Sequence, residues 1–95
     1  MPTVLRTPEA AADLVDIWSY VARDDVMAAD RLVAAIEEKF NTLSQFPLMG
    51  RAGPEFSANL RSFPIRNYLI FYRPIKNGVD IIRIISGARD IDSLF

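Results

Sequence analysis

The chain has 95 residues, 51% of them hydrophobic and 24% charged, with a formal net charge of −1. That is one domain's worth of chain, and too apolar for intrinsic disorder. The absence of Cys and His excludes disulfides, a thiolate nucleophile, Cys- or His-built metal sites and the commonest general base near neutral pH.

Thr3 to Arg6 reads as a short first strand. Thr7-Pro8-Glu9 then reads as a helix start. Thr7 is the N-cap, Pro8 suits the first helical position, and Glu9 favours the positive end of the helix dipole. Ala11, Leu14, Ile17 or Trp18, and Val21 recur at helical spacing, which predicts a helix near residues 8–23. Asp13, Asp16 and Arg23 are assigned to its polar face. Asp25 caps a second helix, whose apolar stripe is Leu32, Ile36, Phe40 and Leu43, widened by Val33 and Phe46. Arg31, Glu37, Glu38 and Lys39 are its water-facing residues. It runs to about Gln45 and stops before Pro47. The short link at Asp24-Asp25 makes the two helices a hairpin.

Residues 46–54 form a turn-rich connector. Beyond it the periodicity changes to that of strands. Leu60 to Ile65 is extended, with Pro64 marking an edge or bulge. Arg66-Asn67 makes a tight turn, with Asn67 as the residue that tolerates positive φ. Residues 68–73 are rich in β-formers, and Lys76-Asn77-Gly78 is the clearest hairpin signal. Residues 79–86 are mostly apolar on both faces and read as a central strand. Gly87 leads into a tail ending at Phe95.

The order is therefore β-α-α-β-β-β, an α+β domain with a helical hairpin on one face of a mainly antiparallel sheet. The opposite face, with Arg61, Arg73 and Arg83, is expected to be open. The place of the first strand in the sheet is not read from the sequence.

The charge is divided unevenly. Residues 1–50 hold four basic and eight acidic side chains, and residues 51–95 hold seven and four. The basic second half suits an anionic partner, or is simply a solvated face. A pI near 5.3 argues against dedicated nucleic-acid binding. Asp24-Asp25, Glu37-Glu38 and Asp90/Asp92 read as a cap, a solvated face and ion-pair partners rather than metal sites. Gly50 to Gly53 lacks the Lys and Ser/Thr of a phosphate loop, and no Ser has a His to activate it. No cofactor is implied. Met1–Arg6 does not resemble a signal peptide and no apolar run spans a bilayer, so a cytoplasmic location without membrane contact is expected.

Several phrases resemble the RelE/ParE superfamily of toxins from bacterial type II toxin–antitoxin modules. They are residues 12–20, Phe46-Pro47-x-x-Gly50-Arg51, residues 60–65, residues 68–73 and residues 83–91. The resemblance covers nearly the whole chain, and it implies a plasmid-stabilisation-type toxin held silent by a cognate antitoxin. RelE-like members cut mRNA on the ribosome, whereas ParE-like members inhibit DNA gyrase. At four positions where RelE-like enzymes carry functional side chains, this chain has Leu69, Ala88, Arg89 and Phe95. Only Arg89 matches.

The resemblance therefore implies a ParE-like, non-enzymatic toxin. Its partners would be gyrase and a ParD-like ribbon-helix-helix antitoxin, which would lay an amphipathic helix across the helix pair and a strand along a sheet edge. The alternatives are a RelE-like mRNA interferase or a relative that has lost toxicity. Candidate target-binding residues are Arg61 and Arg83 from the sheet and Arg89, Ile91, Leu94 and Phe95 from the tail. The competing role for Ile91 and Leu94 is packing against the sheet edge.

Overall fold

The computed structural model describes residues 1–53, 55 and 57–87. Its elements are β1 (Thr3–Arg6), α1 (Pro8–Ala22), α2 (Val26–Gln45), β2 (Arg51–Ala52), β3 (Arg61–Ile65), β4 (Tyr68–Ile75) and β5 (Gly78–Ser86). They form one five-stranded sheet in the order β1-β5-β4-β3-β2. β1 runs parallel to β5, and every other pair is antiparallel. The sequence-based order holds, with β5 an interior strand between β1 and β4 and one strand added.

Both helices start where their caps require. Thr7 Oγ1 accepts from the Ala10 N–H at 3.0 Å and Asp25 Oδ1 from the Ala28 N–H at 3.1 Å, each satisfying an otherwise orphaned donor of the first turn. The α2 stripe of Leu32, Ile36, Phe40 and Leu43 is buried. In α1 the buried residues are Ala10, Leu14 and Ile17. Of the two alternatives at the third stripe position Ile17 is the buried one and Trp18 is exposed, and Ala11, assigned to the stripe from the sequence, is exposed instead. Phe46 corrects the reading of α2 similarly. It is the C-cap, its backbone has left the helical region, and 60% of the residue is exposed.

The two helices pack on one sheet face through Ile70, Tyr72, Val79, Ile81 and Ile84. A smaller cluster of Leu60, Phe71 and Ile85, with Leu69 and Ile82 beside it, lies on the other face. That face is therefore not the open basic surface expected. A bulge sets which β5 residues enter each layer. Phe71 pairs with Arg83 and Tyr72 with Ile81, so Ile82 is an extra residue. The inward series becomes Val79, Ile81 and Ile84 rather than strict alternation.

Local chemistry explains the remaining strand features. The two-residue β2 lies inside the stretch expected to be connector and pairs only with Arg61 and Ser62. Pro64 lies beyond its reach, so the missing N–H leaves no ladder bond unmade on that side. At the β3–β4 turn the positive φ belongs to Arg66 (52°) rather than Asn67. At the β4–β5 turn it belongs to Asn77 (59°), as Asn-Gly hairpins favour. Gly78 is required for a second reason, since a Cβ there would collide with the backbone oxygen of Thr3.

Among the described residues no helix is long and apolar enough to cross a membrane.

Candidate interaction site

Three surfaces carry the chain's unusual features. The first is a shallow groove of about 330 Å³ on the helix hairpin, lined by Ala11, Leu14, Val15 and Trp18 of α1, Val33 and Glu37 of α2, and Arg6 of β1. Val15 is 64% exposed and Trp18 37%. Trp18 is fixed at the groove wall by its indole N–H, which donates to Asp30 Oδ1 at 2.8 Å. Arg6 closes one end, pairing with Glu37 at 3.2 Å and lying 5.3 Å from the centre of the Phe40 ring. An apolar floor with one cation and one anion at the rim suits an amphipathic helix.

The second surface is the sheet edge. β1 covers β5 only as far as Ile81. Past that point side chains replace the missing strand. The Thr7 hydroxyl donates to the Ile82 carbonyl at 2.7 Å, and Asp13 accepts from the Ile84 N–H at 2.9 Å. Asp13 also accepts from Arg83 Nε at 2.8 Å and Nη2 at 3.0 Å, a bidentate pair. The hydrogen bonds it donates to Asp13 hold the Arg83 guanidinium above its ordinary pKa. Asp13, expected on a polar face, is thus a structural clamp, and Arg83 is committed to it. The outer side of β1 is the uncovered edge next to the groove.

The third surface is the connector after α2. Tyr72, fully buried, donates its hydroxyl to the Pro47 carbonyl at 2.7 Å and accepts from the Gly50 N–H at 2.8 Å. Arg61 Nη1 donates to the carbonyls of Gly50 (2.7 Å) and Leu48 (3.3 Å). Only glycine fits at position 50, because a Cβ there would lie 2.6 Å from Tyr72 Cε1. Arg61 pairs opposite Tyr72, on the helix-covered face rather than the expected open one. Arg73 reaches Ser57 Oγ at 2.9 Å.

Burial pushes the Tyr72 phenol above its ordinary pKa, against the opposing pull of the Gly50 N–H and the nearby Arg61 charge. The sign follows. A raised folded-state value stabilises the fold while pH is below about 10, the unfolded value, and the contribution is lost as pH rises through the folded value. Tyr72→Phe is expected to cost about 1–3 kcal/mol at pH 8, because two backbone groups lose their partner. Denaturant unfolding at pH 8 and pH 11 checks this. The gap between wild type and variant should narrow at the higher pH.

Of the sequence candidates, Arg61 and Arg83 are placed as above and are not brought together. Arg89, Ile91, Leu94 and Phe95 lie outside the described residues. Leu69, at a position where RelE-like enzymes carry Arg, packs in the far-face apolar cluster. Asp13 and the Tyr72–Gly50 contact were not read from the sequence. The Gly50 of the Phe46-Pro47-x-x-Gly50-Arg51 phrase was the one signal of the latter.

The two-helix hairpin on a five-stranded mixed sheet places the chain among small toxins of type II toxin–antitoxin modules. Within it, residues 4–91 match the family model described as the ParE toxin of the type II toxin–antitoxin system, parDE, and the chain belongs to that family. It is 30% identical over 92 residues to Toxin ParE3 of Caulobacter vibrioides, covering 96% of this chain and 92% of that one. Its structure is similar to a chain of the chromosomal ParDE TA system from P. aeruginosa. There the TM-score is 0.75 and the identity 26%, over 90% of this chain and 96% of that one.

Proposed function

We propose that this ParE-family toxin acts in the cytoplasm by binding DNA gyrase, without catalysing a reaction, and that a ParD-like antitoxin neutralises it. The observation that carries the non-enzymatic reading is Leu69. Where the RNase branch has a phosphate-contacting Arg, this chain has an aliphatic side chain packed among Leu60, Phe71 and Ile85. It can neither donate to a phosphate nor stabilise its developing charge.

The groove between α1 and α2 fits the apolar face of an antitoxin helix, and the outer side of β1 accepts an added strand. The Thr7 and Asp13 contacts on β5 direct that strand to β1, since they already occupy the β5 edge. The antitoxin's own DNA-binding half would carry operator recognition.

Arg89 lies three residues beyond the end of β5. Arg89→Ala is expected to weaken growth arrest at least tenfold in inducer titration while leaving the unfolding curve unchanged. Arrest equal to that of the wild-type chain would remove Arg89 from the target-binding set. Normal growth on expressing the wild-type chain alone, as soluble folded protein, would favour the non-toxic reading.

A further inference from the structure

The sheet face turned away from the helices is buried, although neither helix lies on it. Phe71 is 0% exposed, Leu60 2% and Ile85 3%, and Ser62, opposite Phe71 on β3, is buried with them. Leu69 and Ile82 pack beside this cluster. Both helices lie on the opposite face, and among the described residues no helix or strand crosses this one. A Phe in the middle of a bare sheet face stays partly in water, so a covering segment must lie over it.

The described chain covers one end only. Arg73 donates to Ser57 Oγ at 2.9 Å and Asn59 Nδ2 to the Pro74 carbonyl at 3.2 Å, so the segment before β3 runs along the Arg73–Pro74 end of β4 and brings in Leu60. Ile85 is at the other end. It pairs opposite Leu69, four residues and about 13 Å from Arg73 along β4. The chain leaves the sheet at that same end, where the Gly87 N–H donates to the Asn67 carbonyl at 2.7 Å. Eight residues follow Gly87 and reach at most about 26 Å. The distance from β5 across β4 to β3 is only about 10 Å. The three large apolar residues of that tail, Ile91, Leu94 and Phe95, stand at i, i+3 and i+4, the spacing of one side of a helical turn, and Arg89 falls on the other side.

We propose that Ile91, Leu94 and Phe95 dock on this face over Ile85 and Phe71, completing the core on its second side, and that the docked tail holds Arg89 outward. The three apolar residues are then unavailable as target anchors, and Arg89 is the part of the tail left for a partner. The docking stands whatever the toxin binds. Only the use of Arg89 rests on the reading that the toxin acts by binding.

The chain has no cysteine, so single introduced thiols report on the tail in the purified toxin. Leu94→Cys is expected to react with a maleimide at least tenfold more slowly than Met27→Cys, at a position 69% exposed. Arg89→Cys should react within about twofold of Met27→Cys, and all three should react alike in urea. Leu94→Asp should lower the unfolding midpoint by about 5 °C or more and bring binding of a dye for apolar surface. Leu94→Cys as reactive as Met27→Cys overturns the docking. So does protection that appears only on adding antitoxin, which gives the face to the antitoxin, or only at concentrations where the toxin dimerises. Unchanged unfolding of Leu94→Asp overturns it too, and lost growth arrest in that variant would then make Leu94 a target anchor. A protected Arg89→Cys overturns the outward placement of Arg89 and leaves the docking standing.

Discussion

Phe40→Ala is expected to destabilise the protein by about 3–5 kcal/mol, a large part of the roughly 5–15 kcal/mol available to a domain of this size. Phe40 is 1% exposed and sits in the main cluster where α2 meets the sheet. Its ring also supports the Arg6 guanidinium at 5.3 Å. Truncation removes the largest α2 side chain from a thin core and leaves a void that neighbours on two rigid layers fill poorly. The unfolding midpoint should fall by more than about 12 °C, since each kcal/mol is worth roughly 4–8 °C in so small a domain. A loss below about 1 kcal/mol would show that the helix hairpin does not depend on this contact.

Asp13→Ala is the second large effect, at about 2–3 kcal/mol. The carboxylate serves three donors, two from Arg83 and the Ile84 N–H. The pair is largely shielded, with side-chain exposures of 13% for Asp13 and 28% for Arg83. Removing the acid leaves a cation and a strand N–H without their acceptor, and it detaches α1 from the β5 edge. The partial exposure of Arg83 keeps the loss below that of a fully buried pair. Asp13→Asn retains an acceptor for Ile84 and should cost about 1 kcal/mol. Urea titration of both variants checks the ranking, which fails if Asn proves as damaging as Ala.

These two residues also show how far the sequence could be read. Phe40 was legible because its burial follows from a local period, Leu32, Ile36, Phe40 and Leu43 on one stripe. The caps Thr7 and Asp25 were legible for the same reason, since each acts on an N–H three residues away. Asp13 was not. Its polarity assigned it to water, and only the early end of β1 against β5, 70 residues away in the chain, turns it into a clamp. β2 was hidden because two residues carry no period. Phe46 continued the helical stripe on paper, but the chain leaves the helix at that residue. Tyr72 read as one more β-forming aromatic, because its bonds to Pro47 and Gly50 cross 25 and 22 residues. The family phrases were more informative about function than any single side chain, because they extend over the whole fold.

The site was legible only in outline. Basic residues of the second half were read as one open face. The structure instead sends Arg61 to the connector, Arg83 to α1 and Arg73 to Ser57. Strict alternation from Ile81 would turn Arg83 towards the helices; the Ile82 bulge instead sets it opposite Phe71, on the face of Arg73, and Asp13 draws it to the sheet edge. What gathers into a candidate surface is apolar: the helix groove around Trp18.

The central claim is that this toxin works by binding and not by cutting RNA. It is tested most directly by adding the purified chain to gyrase supercoiling reactions and, in parallel, to a translating extract carrying a labelled transcript. The account predicts blocked supercoiling, relieved by antitoxin, with the transcript left intact. Arg89-dependent cleavage of the transcript, with supercoiling unaffected, would contradict it.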